Sequence, residues 1–207
     1  MNKINQIGFD TRFGFRTTEI AHGDMTSIEQ PVDVLVVSAF SESYYPAKGT
    51  LICALQEQHG INARELASRP DLDFRNALGV WLSEPLPGGP AKRLLFVEIR
   101  GSGRGVEEAV DNVFAALTAM DSKRIPVTSI AMPLLGAGSQ KLDPEQVANI
   151  LLPRVRDYLE RSASTTTIQF VELDPERAAL VSLAMDEALG RVRVSVPQEE
   201  LARALRA

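Results

Sequence analysis

Apolar residues along this chain fall into two alternating rhythms. Val32 to Phe40 (VDVLVVSAF) is a nearly continuous apolar run, the pattern of a strand buried on both faces of a parallel sheet. Arg93–Arg100 (RLLFVEIR), Val127–Leu134 and Ile168–Leu173 (IQFVEL) repeat that pattern at strand length. Between these runs the period changes to that of helices. Leu51, Ile52 and Leu55 share one face, Val106, Val110, Val113, Phe114, Leu117 and Met120 another, and Val147, Ile150, Leu151, Val155, Tyr158 and Leu159 a third. Phe13 to Ile20 (FGFRTTEI) opens the series as a strand, and Val80-Trp81-Leu82 reads as a short one after a less regular region from Ile61. Strands alternating with helices at this spacing predict a three-layer α/β/α sandwich with a mixed, largely parallel central sheet.

Punctuation agrees with the periods. Thr50 is placed to cap the Leu51 helix and Gly60 to end it. Asp143-Pro144 and Asp174-Pro175-Glu176 each pair an N-cap residue with proline at the first helical position. Pro153 lies inside the helix that Asp143 opens and is expected to kink it. His22-Gly23-Asp24-Met25-Thr26 is a turn, and Thr26 with Glu29 has the spacing of a capping box for one helical turn that Pro31 ends. Pro85–Pro90 (PLPGGP) is a loop within the domain. These signals predict one module over residues 13–190, with residues 191–207 an appendage or the start of a linker.

Composition narrows the partners. A formal charge of −5, from 22 Lys plus Arg against 27 Asp plus Glu, argues against a nucleic-acid surface. No run is long enough to span a bilayer, and MNKINQIGFD lacks the apolar stretch of a secretory signal. One cysteine, Cys53, permits no internal disulfide and suits a reducing cytoplasm, where the chain is expected to reside. Two histidines far apart and a lone cysteine suggest no metal cluster, and no cofactor is called for. Cys53 and Trp81 read as core residues. Gly101-Ser102-Gly103-Arg104-Gly105 follows a strand and precedes a helix, but its glycines miss the third position of a dinucleotide fingerprint.

Candidate chemistry therefore rests on the loops at the carboxyl ends of the parallel strands, where such sheets bind ligands. Three qualify: Ser38–Thr50, Gly101–Gly105 and Gly136–Gln140. In Ile130–Asp143 (IAMPLLGAGSQKLD) a strand breaks at Gly136-Ala137-Gly138-Ser139 before a helix start. Glycines let a ligand approach the backbone, and the helix N-terminus favours an anion such as a diphosphate. A plain strand-to-helix connection is the alternative.

Taken in order, these pieces resemble the macrodomain family, the ADP-ribose-binding α/β module of the Appr-1″-p-processing type, of which this chain looks like a divergent member. IAHGDMTSIEQPVDVLVVSAF resembles the family's opening, a G-D-I-T turn followed by a strand ending N-A-A-N. IAMPLLGAGSQ resembles its diphosphate strand and loop, and FVELDPERAALVSLAMDEAL its last strand and closing helix. The resemblance implies that Asp24 accepts from the adenine amino group and that the Met25 backbone faces the same ring. It implies that Leu135, Gly136, Ala137, Gly138 and Ser139 form the loop that holds the diphosphate. The departures are as informative. Ser38 and Ser41 stand where the family has asparagines, the second of which supports hydrolysis in the family's ADP-ribosyl hydrolases. Tyr44-Tyr45-Pro46-Ala47-Lys48 replaces a glycine run of which Gly49 alone remains. The expectation is thus a binding module for ADP-ribose or an NAD-derived conjugate, with Tyr44, Tyr45 and Lys48 facing the distal end of the ligand. As such it would be the sensor part of a larger immune or signalling protein, beside a fused or associated effector domain. The alternative is an ADP-ribosyl hydrolase using Glu42 or Lys48.

Overall fold

In the computed structural model, which describes residues 1–40, 43–99, 104–137 and 142–188, the apolar runs become the inner strands of one eight-stranded sheet. In chain order the strands are β1 (Asn2–Thr11), β2 (Gly14–His22), β3 (Val32–Phe40), β4 (Leu72–Phe74), β5 (Val80–Leu82), β6 (Ala91–Ile99), β7 (Ser129–Pro133) and β8 (Thr167–Glu172). Their order across the sheet is β1-β2-β8-β7-β3-β6-β5-β4. The five central strands, from β2 to β6, run parallel. β1 pairs antiparallel with β2, and β5 with both β6 and β4. All five carboxyl ends therefore meet at one edge.

Helices cover both faces. α1 (Leu51–His59) and α2 (Ala63–Ser68) lie on one side with a single 3₁₀ turn at Met25–Ser27. α4 (Arg104–Ser122), α5 (Pro144–Arg161) and α6 (Pro175–Ala188) lie on the other, and α3 (Arg75–Leu78) is a short turn before β5. The two-residue period of β3 shows why both layers are needed. Leu35 and Val37 pack under α1 while Val34 and Val36 pack under α4, and all four are fully buried. Burying each such side chain contributes about 1.5–3 kcal/mol.

The caps do what their sequence positions imply. Thr50 Oγ1 accepts from Cys53 N, and Gly60 ends α1 at φ 68°. Asp143 Oδ1 accepts from Glu145 N at 2.9 Å, and Asp174 Oδ1 from Glu176 N at the same distance. α5 continues through Pro153 to Arg161.

Four expectations are corrected. The sheet begins with β1, well ahead of residue 13; its alternation of polar residues with Ile4, Ile7 and Phe9 is that of a half-covered edge strand. The turn after Gly23 is capped by Asp24 rather than Thr26. The stretch after Ile61 holds α2, β4 and α3, elements too short to show a period. Cys53 is only half-buried, its Sγ 3.4 Å from Glu57 Oε1. The tail from 189 lies outside the described residues.

Candidate functional site

The carboxyl edge of the sheet carries two built turns. The first leaves β2 at His22. Gly23 N donates to Glu172 O at 3.0 Å, and His22 Nε2 lies 3.2 Å from Leu173 O, so the turn is fastened to the end of β8. Gly23 has φ 150°, and the Met1 side chain packs against it. Asp24 follows, half-buried. Its Oδ1 accepts from Thr26 N at 2.8 Å and from the Thr26 hydroxyl at 2.7 Å, and its Oδ2 from Gln58 Nε2 at 3.3 Å. An ionised carboxylate offers about four acceptor positions, so Oδ2 keeps room for one more donor. Burial acts to raise the Asp24 pKa, but the Thr26 and Gln58 bonds outweigh it and hold the group below the usual carboxylate range. His59 Nε2, 2.8 Å from Thr26 O, pins the turn from α1. The Met25 side chain is buried in the core beneath.

The second turn leaves β7. Ala137 N donates to Leu134 O and Leu142 N to Gly136 O, both at 3.0 Å. Leu135 and Ala137 are buried. Gly136 sits at φ 95°, and a Cβ there would meet Val106 and Leu142 carbons at 2.9 Å. Glycine is thus required here by the backbone angle and by the close approach of α4. A residue that the sequence reading missed holds this turn: Arg177, in the first turn of α6, donates through Nη1 to Ala137 O at 2.8 Å and through Nη2 to Glu172 Oε1 at 3.2 Å. Glu172 also accepts from Asp174 N at 2.9 Å. The end of β8 therefore joins both turns into one frame. No local motif announces Arg177, because its partners lie 40 and 5 residues away.

The loop after β3 differs from expectation. Tyr44 is a core residue rather than a ligand-facing one. It is 8% exposed and lies edge-on to Trp81 and Phe96 at 5.4 and 5.8 Å. Its hydroxyl donates to Glu98 Oε1 at 2.5 Å and accepts from Trp81 Nε1 at 3.0 Å. Burial, then the Glu98 carboxylate, push the Tyr44 pKa up to about 12. Tyr45 points outward, with the Arg64 guanidinium 5.1 Å from its ring centre. Lys48 and Gly49 are exposed, Gly49 at φ 82° with open space around it. Ser38 is exposed near the end of β3, and Phe40, which sequence reasoning counted only as a strand residue, is 62% exposed. Ser41, Glu42, Gly101–Gly103, Gly138, Ser139 and Gln140 lie outside the described residues.

Two open cavities, of about 480 and 420 Å³, lie at the opposite, amino end of the sheet. Their carboxylates fasten neighbouring loops. Asp121 accepts from Ser162 and Ser164, and Asp33 from Thr128 N and Ser129 N beside Lys92. Parallel sheets bind ligands beyond their carboxyl ends, so the edge that carries Asp24 and the glycine turn is the better candidate. Among the described residues no group of His, Cys, Asp and Glu is arranged to hold a metal ion, and no helix is long and apolar enough to cross a membrane.

No family model matches the sequence, and no curated protein does. Solved structures do match the fold. The Oceanobacillus iheyensis macrodomain with ADP superposes with a TM-score of 0.69 at 17% identity, over 91% of this chain and 98% of that one. A variant of the same macrodomain with ADP-ribose gives 0.68 at 17%, over 90% and 100%. The Trypanosoma brucei macrodomain in complex with ADP-ribose gives 0.62 at 15%, over 81% and 68%. The fold is that of the macrodomains.

Proposed function

We propose that this chain is a binding module for ADP-ribose or an NAD-derived ADP-ribose conjugate, as the resemblance in its sequence motifs implies. The observation that carries the reading is the shared frame at the carboxyl edge. The Gly23–Asp24 turn and the Leu134–Ala137 turn are both bonded to the end of β8, through Gly23 N to Glu172 O and through Arg177 to Ala137 O and Glu172. The macrodomains whose fold this chain shares were solved with ADP-ribose or ADP, which supports the same ligand class here. In this reading the free acceptor position of Asp24 takes the adenine amino group. The glycine turn and the start of α4 present backbone donors to the diphosphate. Lys48, on the exposed loop, stands toward the distal end of the ligand. Serine at 38 and 41, where the resembled family has asparagines, favours binding over hydrolysis. A binder of this kind serves as the cytoplasmic sensor of a larger immune or signalling protein, its effector fused or associated.

Calorimetric titration with ADP-ribose tests the reading, with guanosine diphosphate as the control. Saturable binding of ADP-ribose alone is expected, together with a thermal shift that grows as RT ln(1 + [L]/Kd). Equal response to both nucleotides, or to neither, would overturn it.

A further inference from the structure

We propose that Phe40 is a stacking platform for a second planar ring of the ligand, beyond the diphosphate from the adenine; this rests on the binding reading above. Val34, Val36, Ser38 and Phe40 share one face of β3. The first two are completely covered by the α4 side of the core, whereas Ser38 is exposed and Phe40 is 62% exposed. Among the described residues the helical layer thus ends before the strand does, and the strand end carries an aromatic ring. A phenyl group in water at the end of an otherwise buried central strand forgoes hydrophobic stabilisation, and a ligand ring would restore it. Its placement fits that use. Phe40 pairs with Ile99 on β6. β3 lies next to β7 in the sheet, on the side away from β2, so Phe40, at the carboxyl end of β3, stands beside the strand that leads into the glycine turn. It therefore flanks the glycine turn on the side away from Asp24. Asp24 follows β2, three strands from β3 in the sheet order, a separation of about 14 Å at ordinary strand spacing. A diphosphate with its two riboses bridges that distance between two bases.

The tyrosines do not compete for the role. Tyr44 is enclosed by Trp81 and Phe96, and Tyr45 already has Arg64 against its ring. Base–aromatic stacking tolerates many ring types, so the ligand class is an adenine dinucleotide or ADP-ribose derivative whose second nucleoside carries a planar ring.

The test titrates the full chain, as wild type, Phe40→Ala and Phe40→Trp, with ADP-ribose, NAD⁺ and diadenosine diphosphate. The wild type is expected to bind at least one of the two-ring probes about tenfold more tightly than ADP-ribose. Phe40→Ala should erase that advantage and leave ADP-ribose affinity unchanged, while Phe40→Trp keeps it. Thermal melts confirm that the variants are folded, as substitution of so exposed a ring allows. Equal affinities of wild type for one- and two-ring probes would overturn the proposal, as would a Phe40→Ala loss shared by ADP-ribose. Either result leaves the ADP-ribose reading standing. Absence of binding to all three probes would overturn both.

Discussion

Enclosed by Trp81 and Phe96, the Tyr44 hydroxyl serves Glu98 and the Trp81 indole at once. Tyr44→Phe should therefore lower stability by about 1–3 kcal/mol in urea denaturation, because the partners stay buried. The same tyrosine sets an alkaline limit. Its pKa is raised in the folded protein, so its contribution is complete below the ordinary tyrosine value of about 10 and is lost as pH rises through about 12. The gap between wild type and Tyr44→Phe should narrow over that window, and a constant gap would exclude the linkage. Asp24 has the opposite sign. Its carboxyl is held low, so its contribution is present above about pH 4 and is lost as pH falls below that. Asp24→Ala removes the cap on Met25–Ser27 at a cost of about 1 kcal/mol, and with it an acceptor for the adenine amino group. ADP-ribose affinity should drop by roughly 1.5–3 kcal/mol; unchanged affinity would take Asp24 out of the site. The turn at Asp24 was legible from Gly23 and the polar residues around it, but the capping-box spacing of Thr26 with Glu29 pointed to Thr26 as its cap. The opposed directions of Tyr44 and Tyr45 were not legible, since a loop has no period and the partner Glu98 lies 54 positions on.

At the level of elements, the Leu134–Ala137 turn is held by α4 beneath it and α6 beside it. Gly136→Ala would put a Cβ at φ 95° and against Val106 and Leu142, so destabilisation above about 1 kcal/mol is expected, visible as a lower Tm without ligand. A normal Tm would mean that α4 does not constrain the turn. Arg177→Met tests the other support. It frees the Ala137 carbonyl and leaves the half-frame at Glu172 unneutralised. ADP-ribose affinity should fall by up to about tenfold, part of the roughly 1.5–3 kcal/mol that a charge-assisted bond is worth being felt in the fold instead. Arg177→Lys should recover only part of it, for lack of a two-pronged donor. Parity of Met and wild type would show that the turn holds itself. β3, α1 and the Asp143 and Asp174 caps were readable because each is long or carries a local signal. Val80-Trp81-Leu82 was readable as β5, but the elements between Ile61 and Leu78 run three to six residues, less than two helical turns, and left nothing periodic to read. Gly136 was legible as a special position, yet for a ligand; its need to clear Val106, 30 positions back, became apparent only with α4 in place.

For the molecule as a whole, the open question of organisation is what β1 contributes. The sequence reading starts the module at residue 13, where the strand-like FGFRTTEI begins. In the folded chain the preceding NKINQIGFDT pairs with β2 along its whole length, from Asn2 opposite His22 to Thr11 opposite Gly14. Ile7 enters the main core, Ile4 and Phe9 pack against it, and Asn5 Nδ2 reaches Ser182 O and Asp186 Oδ1 on α6. Deleting residues 1–12 would expose the edge of β2 and remove about one and a half buried apolar side chains' worth of transfer energy. At about 1.5–3 kcal/mol each, that is a sizeable part of a total stability of roughly 5–15 kcal/mol. A fall in Tm of about 10 °C is expected for a chain this long. Binding should weaken as well, because the antiparallel pairing brings Met1 against Gly23, one residue from Asp24. Ile7→Ala separates the two effects: it should lower Tm by the core mechanism while leaving Met1 in place and ADP-ribose affinity nearly intact. A truncated protein with wild-type Tm and affinity would make β1 an appendage and return the start of the module to residue 13.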